Sequence, residues 1–254
     1  RENNPQFIAS IARGLEILRC FSATNQLLGN QEIAQLTNLP KPTVARITST
    51  LVSLGYLKQL PNTTKYLLDV GVLALGYAAL SNISARTQAY PFMEEMSRYS
   101  QAPVAMATRD RLSMIYLEVV HTESTLTMRR PVGSTLPIHS SAMGRACLAA
   151  MDVKEREYLF DAIKKRNEDQ WPTIKRNLER AIRDYQDYGY CLSLGDWAKD
   201  VNSVAVPLVH PKHGILTFNC GAPSYLLNQE KLENEIGPRL IHMVNNIAMN
   251  LNNI

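Results

Sequence analysis

The sequence predicts an α+β protein in two parts: three short helices with a hairpin, then a larger domain mixing helices with a mostly antiparallel sheet. Three observations carry this prediction. Up to residue 69, three stretches of helical periodicity are followed by two strand-like runs around a polar turn. Residues 70–80 hold a segment that is apolar nearly all round. From residue 83 to 254, strand-like runs separated by tight turns mix with amphipathic helices.

The elements follow in order. Ile11, Leu15, Leu18 and Phe21 recur at helical spacing, so Ser10 to Phe21 reads as an amphipathic helix. Gly29-Asn30 breaks the chain, Asn30 caps a second helix, and Glu32 in its first turn suits the helix dipole. That helix offers Ile33, Ala34 and Leu36 for burial and ends at Asn38-Leu39-Pro40. Pro42 opens a third helix with Val44, Ile47, Leu51 and Leu54 as its buried stripe and Gly55 as its stop. Residues 56–60 and 65–68 then form a hairpin whose tip, Pro61 to Thr64, is polar and hydroxyl-rich. Val70 to Leu80, with small residues among large ones, must be buried, either as a linker helix at a dimer interface or as an internal core helix.

In the larger domain a helix is predicted over 84–100, and strands over 103–109, 112–120, 125–130, 190–194, 202–209 and 214–220. Asp110-Arg111 and His210 to Gly214 are turns. Helices are predicted over 141–151, 153–166, 173–188 and 228–251, with Asp152 as an N-cap and Gly189 as a stop.

Composition narrows the function classes. No stretch approaches the roughly 20 apolar residues that span a bilayer. Arg1 to Gln6 is polar and does not read as a secretory signal, and the missing initiator Met leaves room for residues upstream. Cys20, Cys147, Cys191 and Cys220 form no CxxC, which fits a reducing cytoplasm better than a disulfide framework. Of the net charge of +4, residues 1–81 carry seven Lys/Arg against four Asp/Glu. Most of the excess therefore sits in the first third, as a phosphate-facing unit requires.

Three helices and a hairpin make a winged helix-turn-helix, in which the third helix enters the DNA major groove N-terminus first. Its leading edge here is Lys41, Pro42 and Thr43, with Arg46 and Ser49 on the same exposed face. Arg46 can donate two hydrogen bonds to a guanine, and Thr43 or Ser49 can reach a phosphate or a thymine methyl. Lys41, with Thr64 and Lys65 in the wing, suits phosphates, and Arg13 reaches the backbone from the first helix.

These residues carry a resemblance. Ile11-Ala12-Arg13-Gly14-Leu15-Glu16-Ile17-Leu18, Pro42-Thr43-Val44-Ala45-Arg46 and Leu51-Val52-Ser53-Leu54-Gly55-Tyr56-Leu57 resemble the isocitrate-lyase-regulator (IclR) family of bacterial transcription factors. Leu136 to Ala146, Val204-Ala205-Val206-Pro207-Leu208 and Gly214-Ile215-Leu216 extend the resemblance over nearly the whole chain. It implies a winged helix-turn-helix (1–69), a linker helix (70–82) and a GAF-like effector-binding and oligomerisation domain (83–254). It also implies a double-stranded DNA operator, a small organic acid as effector, a homodimer or a tetramer as the working state, and no cofactor.

From the residues alone, Ser140 and Ser141 before a helix can hold an anion or serve as an ordinary N-cap, and Ala142 and Gly144 leave the backbone approachable. The resemblance favours a ligand and implies a lining of Leu126, Met128, Ala142, Met143, Ser193, Ser203 and Asn219, with Cys220 as a neighbour. Such a mixture fits an aromatic or short aliphatic carboxylate. His210-Pro211-Lys212-His213 brackets a proline and lacks a matching ligand set, so no metal is expected. No GxSxG, GxGxxG or Walker loop is present, and the chain is not expected to be an enzyme. A small-acid-binding protein without DNA, or an enzyme acting on a small carboxylate, is the alternative.

Overall fold

The computed structural model describes residues 5–22, 25–121 and 130–252. The chain divides into two compact units, Arg1–Asn82 and Ile83–Ile254.

The first unit contains α1 (Ala9–Arg19), β1 (Leu28–Gly29), α2 (Asn30–Thr37), α3 (Lys41–Ser53), β2 (Leu57–Gln59), β3 (Lys65–Leu68) and α4 (Val70–Ser81). Its core gathers Ile17, Phe21, Ile33, Val44, Leu51, Leu57 and Tyr66. Two corrections to the helical stripes emerge. Ile11 and Leu15 of α1 are exposed while Ile17 is buried, because the packing face of α1 runs along Gly14, Ile17 and Phe21, with Gly14 against Ile47. Leu36 and Leu54 are exposed where burial was predicted, since each lies in or just past the last turn of its helix. Gly29, not Asn30, is the N-cap of α2, its N–H donating to Glu32 Oε2 at 2.6 Å. The Asn30 side chain instead accepts from the buried Thr48 hydroxyl at 3.0 Å, which joins α2 to α3. Strand β1, too short to stand out in the sequence, pairs with β3 so that the sheet runs β1-β3-β2.

Helix α4 buries none of its twelve residues. Val70, Leu73, Leu75 and Tyr77 are all largely exposed, so the helix fills no internal core of the chain. No helix among the described residues is long and apolar enough to cross a membrane.

The second unit holds α5 (Ala85–Ser100), β4 (Val104–Asp110), β5 (Ser113–Val120), β6 (Thr135–Pro137), α6 (Ala142–Ala150), α7 (Val153–Arg166), α8 (Trp171–Tyr188), β7 (Cys191–Leu194), β8 (Val201–His210) and β9 (Gly214–Pro223). It closes with α9 (Gln229–Lys231), a π-helical turn over Leu232–Ile236, and α10 (Gly237–Asn252). A single helix was predicted here. Pro238 cannot donate an N–H, and the chain widens to π spacing in the turn before it. The six strands form one antiparallel sheet in the order β6-β5-β4-β9-β8-β7. Helices α6 and α8 pack on one face, α5 and α10 on the other. Strand β6 was not predicted; it is three residues long, ends in Pro137 and lies at the sheet edge, where a proline is tolerated. The strand predicted over 125–130 falls almost entirely outside the described residues.

Eight of the nine residues of α6 are buried. Gly144 allows this. A Cβ there would lie 2.0 Å from the Ile138 carbonyl oxygen, so only glycine lets the helix sit on that backbone. Gly144 thus serves packing rather than a ligand.

Candidate functional site

The first unit presents the polar face expected of a DNA reader. Lys41, Arg46 and Ser49 are exposed along one side of α3, with Thr43 half-buried beside them. Arg13 is exposed on α1 and Thr64 at the hairpin tip, where Asn62 takes a left-handed conformation with φ 60°. Lys65 differs from its sequence reading. Its ammonium pairs with both Glu32 oxygens at 2.5–2.6 Å, so it ties the hairpin to the start of α2. Those hydrogen bonds, with the one from Gly29, hold the Glu32 carboxyl below the usual carboxylate range.

The second unit contains a cavity on the α6 face of its sheet. The floor is built by side-chain size. At one level the sheet reads Ala105, Asn219, Ala205 across β4, β9 and β8, a polar amide between two methyl groups. At the next level Gly221 faces Ser203; a Cβ on Gly221 would come within 2.9 Å of the Ser203 Cβ. Tyr116, Val119, Leu136 and Val201 supply apolar walls, and Ser141 and Ala142 bring the start of α6 over them. Arg130 and Trp197 are half-buried and His121 is exposed, so these three form the open side.

The predicted lining is partly assembled there. Ser141, Ala142, Ser203 and Asn219 line the cavity. Ser140, Met143, Ser193 and Cys220 do not. Met143 is completely buried in the core beneath α6. The Ser193 hydroxyl donates to the Ser140 carbonyl at 2.9 Å, which uses both residues to fasten β7 to the α6 loop. Cys220 lies between Asn219 and Gly221, and strand alternation sends its side chain to the opposite face, near Ser100. Leu126 and Met128 lie outside the described residues. The residues that the sequence reading missed include Tyr116, His121, Arg130 and Trp197.

Ser141 is a true N-cap: its hydroxyl accepts from the Gly144 N–H at 3.1 Å and donates to the Pro137 carbonyl at 2.7 Å. Burial pushes the Tyr116 hydroxyl up to about 12 against the pull of Arg130, so it remains a protonated donor at neutral pH. Burial likewise pushes Cys147 up to about 12 and Cys220 up to about 11, and raises Cys191 further. These thiols are packing groups, not nucleophiles. His210 and His213 stack with ring centroids 4.9 Å apart, and among the described residues no three His, Cys, Asp or Glu side chains gather to hold a metal.

Outside the cavity, Arg145 is 2% exposed. Its Nη1 donates to Asp196 Oδ2 and to the Leu192 carbonyl, each at 2.8 Å. It thereby anchors the loop that carries Trp197.

Comparison with known proteins assigns both parts of the chain to one family. Residues 10–61 match the family described as the IclR helix-turn-helix domain, and residues 77–249 match the bacterial transcriptional regulator IclR C-terminal family. The chain is 37% identical over 250 residues to the HTH-type transcriptional regulator TsaQ1/TsaQ2 of Comamonas testosteroni, covering 97% of this chain and 90% of that one. The crystal structure of an IclR family transcriptional regulator from Brucella abortus is similar with TM-score 0.94 and 58% identity, covering 98% of this chain and 95% of that one. An IclR homologue from Microbacterium hydrocarbonoxydans, solved with 4-hydroxybenzoate, shares the fold at TM-score 0.66 and 20% identity, covering 95% of this chain and 99% of that one. With a helix-turn-helix unit, an α+β C-terminal domain and relatives that are regulators rather than enzymes, the chain belongs to the IclR family of DNA-binding transcriptional regulators.

Proposed function

We propose that this regulator binds a double-stranded operator as a homo-oligomer, a dimer or a dimer of dimers, and that a small organic acid in the second-unit cavity controls that binding. The cavity is the observation that carries the effector. It joins apolar walls to Ser141, Asn219 and Arg130, and no Asp or Glu is among the described residues lining it. That combination suits a carboxylate with an apolar aromatic or short aliphatic body. The 4-hydroxybenzoate held by the Microbacterium homologue supports the same class. Control requires the acid to bind the DNA-competent and DNA-incompetent states with different affinity.

On the DNA side we assign Arg46 to a base edge, Thr43 and Ser49 to bases or phosphates, and Lys41, Thr64 and Arg13 to the backbone. Lys65 joins them if DNA draws its ammonium from Glu32. The all-round apolar exposure of α4 supports association through that helix. Work on DNA in this way implies a cytoplasmic location.

The test is operator binding with promoter DNA from beside the gene, with and without a panel of aromatic and aliphatic carboxylates. We expect at least one acid to raise the melting temperature and change DNA affinity together. Arg46→Ala should cost about 1–3 kcal/mol and relax preference at one base pair. An equal loss on every sequence would move Arg46 to a phosphate, and an acid that binds without altering DNA affinity would remove the control.

A further inference from the structure

The geometry points to Arg130 as the group that selects a carboxylate over its neutral isostere, and to Trp197 as the plate that holds Arg130 in place to do so. This rests on the reading above that the cavity takes a small acid. Among the described lining residues Arg130 is the one permanent cation, and no carboxylate competes for it. Its guanidinium carbon lies 4.4 Å from the centre of the Trp197 ring. One nitrogen, Nη1, donates to the Thr135 carbonyl at 3.3 Å. A guanidinium has five N–H donors, and attraction to a ring face engages its charge while leaving most of those donors for a ligand. A carboxylate beside such a group gains a charge-assisted, two-pronged hydrogen bond.

The plate is fixed by groups outside the cavity. The Asp196 carboxylate accepts from Arg145 at 2.8 Å and from the Leu194 N–H at 3.3 Å, immediately before Trp197 in the chain. Behind it the loop closes on itself, Gly195 donating to Val201 and Val201 to Ala198 at 3.0 and 2.9 Å. Gly195 takes φ +72°, and a Cβ there would meet the Lys199 carbonyl oxygen at 3.0 Å, so the tight loop needs glycine. Arg145 is therefore a positioning residue. It acts on the ligand through Asp196, Trp197 and Arg130 in turn. When a carboxylate arrives, Arg130 divides its charge between ring and ligand, and the electronic surroundings of the indole change.

The experiment uses the full chain and matched pairs of probes: benzoate with benzamide, 4-hydroxybenzoate with 4-hydroxybenzamide, phenylacetate with phenylacetamide. Calorimetry should show the unaltered protein preferring the carboxylate of its best pair by about ten- to a hundred-fold, the range of a charge-assisted hydrogen bond. In Arg130→Gln that ratio should fall to about one. Arg130→Lys should restore part of it, and Asp196→Asn should lower it without touching the ligand. The chain has two tryptophans, Trp171 and Trp197. In a Trp171→Phe background the remaining emission should respond to the carboxylate, and the response should vanish with Arg130→Gln. A carboxylate preference that survives Arg130→Gln overturns the assignment while leaving the sensor reading intact. Failure of the unaltered protein to bind any of the acids overturns the sensor reading, and this inference with it.

Discussion

Helices α4 and α6 are made of nearly the same material and end in opposite environments. Both are rich in alanine and glycine with a few large apolar side chains, yet α4 buries none of its twelve residues and α6 buries eight of nine. The difference lies in what the rest of the chain brings to them. The α6 backbone rests on Ile138 through Gly144, and its side chains meet β4, β8 and α8. Gly76 of α4 has nothing within 4 Å of where a Cβ would be. An apolar helix thus announces that it must be covered, and the fold of one chain covers only one of these two.

The largest effect that would break the comparison is at Gly144. Alanine there puts a methyl 2.0 Å from a backbone oxygen. We expect about 3 kcal/mol or more of destabilisation, seen as a lower denaturation midpoint. A mild loss would mean that α6 has slack and that its burial is not set by that contact. Next comes Leu73→Lys. We expect sedimentation to show dissociation, with roughly 2 kcal/mol of association energy lost per copy, while the unfolding of each chain barely changes. If the assembly persists, α4 is covered by something other than a second copy. Gly76→Ala then probes the bare face more finely. In dilute protein it should stabilise by about 0.5–1 kcal/mol through helix propensity alone. A loss instead would reveal another helix packed closely on that glycine.

The smallest effect concerns His139, at the entrance to α6. Burial first, and then the charge of Arg145, lowers its pKa below 6.5. Between 6.5 and that lower value the unfolded chain binds more protons than the native one. Stability is therefore complete above 6.5 and is lost as the pH falls through the folded value. The melting temperature should drop between pH 7.5 and 5.5, and less so in His139→Gln. His213, lowered by burial and by His210 and Lys212, contributes with the same sign and should retain its share. No change in that slope would show that His139 is as easily protonated in the native protein as in the unfolded chain.

The legible parts of this molecule were those governed by short-range rules. The stripe Val44, Ile47, Leu51 follows from helical spacing, and the strand pair 201–210 and 214–223 from runs flanking a polar turn. Where two faces compete, periodicity fails: Ile11 and Leu15 are as apolar as Ile17, and the core that the rest of the unit brings to α1 decides which is buried. The cavity shows the same division. Ser141, Ala142, Ser203 and Asn219 were reachable by resemblance, and the two-residue period of a strand already separates Cys220 from Asn219. Arg130 and Trp197 were not reachable. Their encounter depends on Arg145 holding Asp196 across the fold, which no local pattern encodes.

Gly71 has a mechanical consequence. A Cβ at that position would stand 2.6 Å from the carbonyl oxygen of Gly55, two residues beyond the end of α3, and the Asp69 N–H donates to the neighbouring Tyr56 carbonyl at 2.9 Å. Main chain meets main chain there, with the Tyr56 ring beside the contact, 3.4 Å from where the Cβ would be. At about 1.5 Å per residue, α4 is a lever roughly 18 Å long hinged on the tail of the recognition helix. Movement of its far end is therefore felt first where the two backbones touch, at the tail of α3.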